Sequence, residues 1–114
     1  MRNPLATLVL TILIGLISPI ALGETVGSKE LVYRDGLYFK KFTNVPFTGK
    51  TTGEWQGKLK DGKRVGLWVL YWENGQLHYK VFYKNGKKDG PFKNFNQDGT
   101  LAFEGVYKNG KRIK

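Results

Sequence analysis

Leu77, Tyr79, Val81 and Tyr83 alternate with His78, Lys80, Phe82 and Lys84, a period of two that sends successive side chains to opposite faces of a strand. Leu101, Phe103, Gly105 and Tyr107 take the same places 24 residues later, and Trp55, Gly57 and Leu59 take them 24 residues earlier. Between the runs, Asn-Gly or Asp-Gly falls at 61–62, 74–75, 85–86, 98–99 and 109–110, with gaps that alternate 13 and 11. These dipeptides are the strongest short-range hairpin signal, because both central turn positions want positive φ. No window of a dozen residues escapes one, which excludes helix. The pattern predicts an all-β chain of successive antiparallel hairpins with a period of 24 residues. A lone hairpin is marginal in water, so successive hairpins must share a face. Trp55, Tyr79 and Phe103 and their strand-mates are expected to stack like upon like, at roughly 0.2 to 1 kcal/mol for each aromatic neighbour.

Set in register, the repeats are GLWVLYWENGQLHYKVFYKNGKKD from Gly66 and GPFKNFNQDGTLAFEGVYKNGKRI from Gly90. Their first strands are less tidy than their second. Trp68 and Tyr71, like Phe92 and Phe95, lie three apart, which simple alternation cannot place on one face; either a bulge intervenes or both faces are partly covered. Upstream the repeat decays. LVYRDGLYF, with Tyr33, Asp35 and Gly36, matches a repeat end, but KKFTNVPFTGKTTG carries a proline and no clean alternation. Residues 31–65 are therefore expected to form a degenerate first repeat or cap, as terminal repeats often do, followed by repeats at 66–89 and 90–113, with 24–30 a loose linker.

The first 23 residues have another character. Arg2, the apolar run LATLVLTILIGLI, Pro19 and the small-x-small pattern Ala21-Leu22-Gly23 predict a secretory signal peptide cleaved after Gly23, and so a periplasmic or secreted chain from Glu24. The run is too short for a comfortable bilayer span, which wants roughly 20 apolar residues; an uncleaved anchor is the alternative. The chain has no cysteine, which excludes disulfides, a lipidated N-terminal cysteine and thiolate metal sites. Its net charge of +10 falls only to +9 when the leader and Arg2 are removed. Such a balance favours acidic partners: anionic lipid head groups, envelope polymers or acidic proteins. Nucleic acid is set aside because the leader takes the chain out of the cytoplasm.

The stretch GLWVLYWENGQLHYKVFYKNGKKDG resembles the MORN-repeat variant found in bacterial proteins of the YwqK antitoxin type, over about residues 31–114. The resemblance implies a single-layer, strongly twisted antiparallel sheet and a role in contacts with another protein, antitoxin-like, or with acidic phospholipid. Where MORN repeats open with G-x-G-x-Y, this chain has Gly66-Leu67-Trp68 and Gly90-Pro91-Phe92.

Residues that could carry catalysis are few. NVPFTGKT, residues 44–51, ends like a phosphate-binding G-x-x-x-x-G-K-T, but Asn44 stands first and no helix pattern follows, so the helix N-terminus that such a cradle needs is not predicted. His78 is the only histidine, and Ala102 replaces it one repeat on. Asp61, Glu73, Asp89 and Asp98 are scattered over separate turns, and Ser28 is the only serine after the leader. The expectation is a non-catalytic binding module with no cofactor, metal site or small-molecule substrate. Two surfaces are candidates. Trp72 and Phe82, replaced by Asn96 and Val106 in the next repeat, are aromatics that the repeat does not demand and could form a contact patch for a protein partner. Lys60, Lys63, Arg64, Lys84, Lys87, Lys88, Lys108, Lys111 and Arg112 cluster at alternate turns, which lie along one edge of a hairpin sheet, and predict a basic ridge that meets anions.

Overall fold

The computed structural model describes residues 23–114, so the predicted leader, apart from Gly23, lies outside the described residues. Ten strands follow in order: β1 (Glu24–Gly27), β2 (Leu31–Arg34), β3 (Leu37–Lys40), β4 (Gly49–Thr52), β5 (Trp55–Lys60), β6 (Lys63–Tyr71), β7 (Leu77–Lys84), β8 (Lys87–Phe95), β9 (Leu101–Lys108) and β10 (Lys111–Arg112). Eight form one sheet in the order β1-β4-β5-β6-β7-β8-β9-β10, and β2-β3 is a separate hairpin. From β4 to β10 every pairing is antiparallel between strands consecutive in sequence, as the repeat predicts. Residues 24–30 are not a loose linker: Glu24–Gly27 pairs in parallel with Gly49–Thr52, and Ser28–Glu30 forms a 3-10 turn with Ser28 buried.

The two classes of turn differ, contrary to the uniform expectation. At Asp35-Gly36, Asp61-Gly62, Asn85-Gly86 and Asn109-Gly110 both residues have positive φ, 50–53° for the first and 78–86° for the glycine, the two-residue I′ geometry that suits strand twist. At Asn74-Gly75 and Asp98-Gly99 only the glycine does. There the Gly75 N–H donates to Trp72 O (2.9 Å) and the Trp72 N–H to Gln76 O (2.8 Å), a longer loop closed by an Asx bond from the Gln76 N–H to Asn74 Oδ1.

Bulges interrupt the pairing of the untidy first strands, and two of them lie on the partner strands β7 and β9. Leu70 pairs with Tyr79 and Tyr71 with Leu77, leaving His78 extra; one repeat on, Asn94 pairs with Phe103 and Phe95 with Leu101, leaving Ala102 extra. A second irregularity sets Asp89, Gly90 and Pro91 against Phe82 alone, with Gly90 at φ 119°. This returns Phe92 to the inner face, where it meets Val81. Trp68 and Phe92 are each 3% exposed and Val81 2%.

Equivalent strands do not touch, because a first strand lies between them. The core row instead runs Thr51, Gly57, Trp68, Val81, Phe92, Gly105 across six strands. Large rings alternate with small residues along it: a Cβ on Gly57 would lie 2.3 Å from the Trp68 ring, and one on Gly105 2.7 Å from Phe92. At the N-terminal end Leu31 and Phe47 join the buried cluster with Leu59, and Tyr38 packs against it, so the β2-β3 hairpin covers that end of the sheet, with Phe39 buried separately beneath Arg34.

Candidate functional site

In the L-K-D-G-K unit from Leu59 and the two Y-K-N-G-K units from Tyr83 and Tyr107, the two-residue turn fixes which side chains face one another. Lys84 is set opposite Lys87 and Tyr83 opposite Lys88; Lys60 faces Lys63 and Leu59 faces Arg64; Lys108 faces Lys111 and Tyr107 faces Arg112. Neighbours along a strand point to opposite faces, so the nine predicted cations do not form a single ridge. Lys60, Lys63, Lys84, Lys87, Lys108 and Lys111 make three pairs on the outer side, whereas Arg64, Lys88 and Arg112 fold onto the inner aromatic face.

The inner row is held by rings. The Arg64 guanidinium carbon lies 5.0 Å from the centroids of Trp55 and Trp68, 5.1 Å from Tyr38 and 5.2 Å from Tyr83. It donates to the Tyr38 hydroxyl (2.6 Å) and the Tyr83 hydroxyl (2.9 Å), while its buried Nε has no protein partner. Lys88 Nζ lies 4.9 Å from the Tyr107 centroid and 5.5 Å from that of Tyr79, and Arg112 sits over Phe92 at 5.2 Å. Each such contact contributes about 0.5 to 2 kcal/mol according to its exposure to solvent. Burial raises the Tyr38 phenol above its usual 10.0 against the opposing Arg64 charge, and raises Tyr79 likewise against Lys88.

The turns are tied to one another as well. The Gly62 N–H donates to Phe47 O (2.8 Å), that of Gly86 to Arg64 O (2.9 Å) and that of Gly110 to Lys88 O (2.8 Å), so the tips form a hydrogen-bonded row. A trough of about 520 Å³ runs along this row, floored by Gly36, Gly62, Gly86 and Gly110 and flanked by Tyr33, Tyr38, Tyr83, Tyr107, Lys63, Arg64, Lys87 and Lys88.

Like charges directly opposite on neighbouring strands destabilise a sheet, and this edge repeats the arrangement three times. Of the nine cations, among the described residues only Lys108 has a carboxylate within reach, Asp89 at 4.0 Å. The opposite edge carries Glu73 and Asp98 and no cation in its turns. There the Thr100 hydroxyl and N–H both bond Asp98 and hold its carboxyl below the usual 3.8.

Trp72 and Phe82 are not brought together as one patch. Trp72 stacks on His78 at 3.5 Å, and its indole N–H donates to Phe95 O (3.1 Å), which gives both residues a structural use at the far edge. Phe82, 39% exposed, is instead paired with Leu67, 43% exposed. The TGKT stretch is strand β4 rather than a phosphate-binding turn before a helix. Sequence reasoning missed Tyr33 and Tyr38, which lie in the irregular N-terminal segment, and the inward turn of Arg64, Lys88 and Arg112. The two-residue turn and strand parity together contained the signal for the latter.

The family model described as the MORN repeat variant matches residues 64–85 and 88–109, two copies in the 24-residue register of the sheet. No curated protein and no solved structure matches the chain. The antitoxin subgroup therefore gains no support from these comparisons, whereas a repeat module that serves in binding does.

Proposed function

We propose that this chain is an exported, non-catalytic binding module that takes an anionic partner along its lysine-paired turn edge. The observation that carries the reading is the set of three facing lysine pairs, at 60/63, 84/87 and 108/111, built into a rigid row of turns. An anion seated on such a pair turns mutual repulsion into shared attraction. Export rests on the leader-like residues 1–23 and suits the partners a basic surface meets in the envelope. A second reading, contact with another protein such as an antitoxin's target, is favoured by the adjacent exposed Leu67 and Phe82 on the outer face.

The test is retention on an anionic matrix at low and high salt. The variant Lys63→Glu/Lys87→Glu/Lys111→Glu is compared with Lys29→Glu/Lys41→Glu/Lys50→Glu, which makes the same change of net charge at exposed positions elsewhere. The edge variant should lose retention and the control should keep most of it. Equal loss in both would leave only nonspecific net charge and overturn the reading.

A further inference from the structure

We propose that the turn edge holds one extended chain of a hydroxylated polyanion, an acidic polysaccharide with one carboxylate per disaccharide repeat, laid across all three lysine pairs. The proposal rests on the anion-binding reading above and names its ligand.

Spacing is the first argument. Successive lysine pairs are two strands apart, about 9.5 Å sideways. The register that sets Gly66 against Tyr83 also places Lys63 beside the turn rather than beside Lys84, a stagger of two residues, so the step between pairs is roughly 12 Å. A small anion can reach one pair. A polymer with an anionic group at disaccharide intervals can reach three at once, and linked contacts reinforce one another without any new contact being made.

The lining is the second. Of the four tyrosines that line the trough, three have a cation over the ring face that a nucleic-acid base would stack upon: Arg64 lies over Tyr38 and Tyr83, and Lys88 over Tyr107, which leaves Tyr33 alone open. What faces the trough is a mixture of phenol hydroxyls and cations. Sugar hydroxyls and carboxylates have a counterpart for each, since a phenol both donates and accepts while an ammonium only donates.

Shape is the third. Hydrogen bonds from Gly62, Gly86 and Gly110 to the neighbouring backbone hold the turn tips in place, so an extended ligand meets a preorganised row of lysine pairs, and the trough adjoins that row on its inner side, taking Lys63 and Lys87 of the six paired lysines into its lining. Arg64 is recessed among four rings, where a chain entering the trough can approach it and a flat layer of lipid head groups cannot.

The full-length chain is titrated with hyaluronan fragments of one, two, three and four disaccharides, followed by the fluorescence of Trp55 and Trp68, whose rings border Arg64. Affinity should rise at least about tenfold from one disaccharide to three and then level off. Lys84→Ala/Lys87→Ala, which empties the middle pair, should return the three-unit fragment close to the one-unit affinity while the melting temperature holds or rises. An oligothymidylate and phosphatidylserine vesicles, matched for charge, should bind more weakly than the three-unit fragment. Equal affinity for one and three units, or equal binding of the oligonucleotide or the vesicles, overturns the polysaccharide while leaving an anion-binding edge. Failure of every anion to bind overturns both.

Discussion

Replacing Gly57 by alanine tests the packing rule of the sheet more sharply than removing any large residue. The new methyl would lie 2.3 Å from Cδ2 and Cε2 of Trp68, well inside contact distance, and the ring has little freedom to retreat. Trp68 is 3% exposed, its indole N–H donates to Lys58 O (3.1 Å), and Val81 lies on its other side. Overpacking of a core position costs about 1 to 3 kcal/mol, and expelling the ring would forfeit part of the roughly 3 to 5 kcal/mol that a buried Trp contributes. The expected loss is therefore about 2 to 4 kcal/mol, or roughly 10 to 20 °C in Tm for a domain of this size. Gly27→Ala is the control, since a Cβ there meets nothing within 4 Å and its φ is not positive; it should shift Tm by no more than about 2 °C. Gly57→Ala/Trp68→Leu should recover part of the loss by giving the methyl room. Thermal unfolding followed by circular dichroism reads all three. Similar melting of Gly57→Ala and Gly27→Ala would refute the alternation of rings and small residues as the basis of the core.

Trp72→Asn should lower Tm by several degrees, because it removes the His78 stack and the bond to Phe95 O, whereas Phe82→Val, at a 39% exposed site, should shift it little; the reverse order in a melting assay would contradict the assignment of the two aromatics. Phe42 is fully exposed at φ 65°, so Phe42→Gly should stabilise by about 0.5 to 1 kcal/mol, the left-handed strain outweighing the entropy of glycine, as denaturant melts would show. Because the folded state holds the Tyr38 and Tyr79 phenols above 10.0, it binds those protons more tightly than the unfolded chain. That stability is complete below pH 10 and is lost as pH rises through the raised folded values, so Tm should fall as the pH is taken above 10 and fall less steeply in Tyr79→Phe.

Much of the fold was legible because turn chemistry and strand parity are local. Asn85-Gly86 and the alternation from Leu77 to Tyr83 specify a hairpin without reference to anything distant. The bulges were not legible, since a G-x-W or G-x-F stretch does not say which partner residue is left over until the strands are paired. Nor was β1: Glu24–Gly27 joins the sheet only because Gly49–Thr52 lies open to it, a contact that no repeat encodes. The basic edge was visible as composition, but its division into two rows follows from pairing Lys84 with Lys87 and Tyr83 with Lys88. Pairing Trp72 with Phe82 as one patch misled because departure from the repeat was taken as freedom for a partner, when in Trp72 it accompanies His78, the extra residue of a bulge.

The claim that this edge is where anions bind is tested most directly by the backbone amides of its turn glycines. In a titration of the ¹⁵N-labelled chain with an acidic oligosaccharide, the resonances of Gly62, Gly86 and Gly110 and of the lysines beside them should shift together, while Gly75 and Gly99 on the opposite edge stay in place. Equal shifts on both edges, or shifts centred on Leu67 and Phe82, would contradict the account.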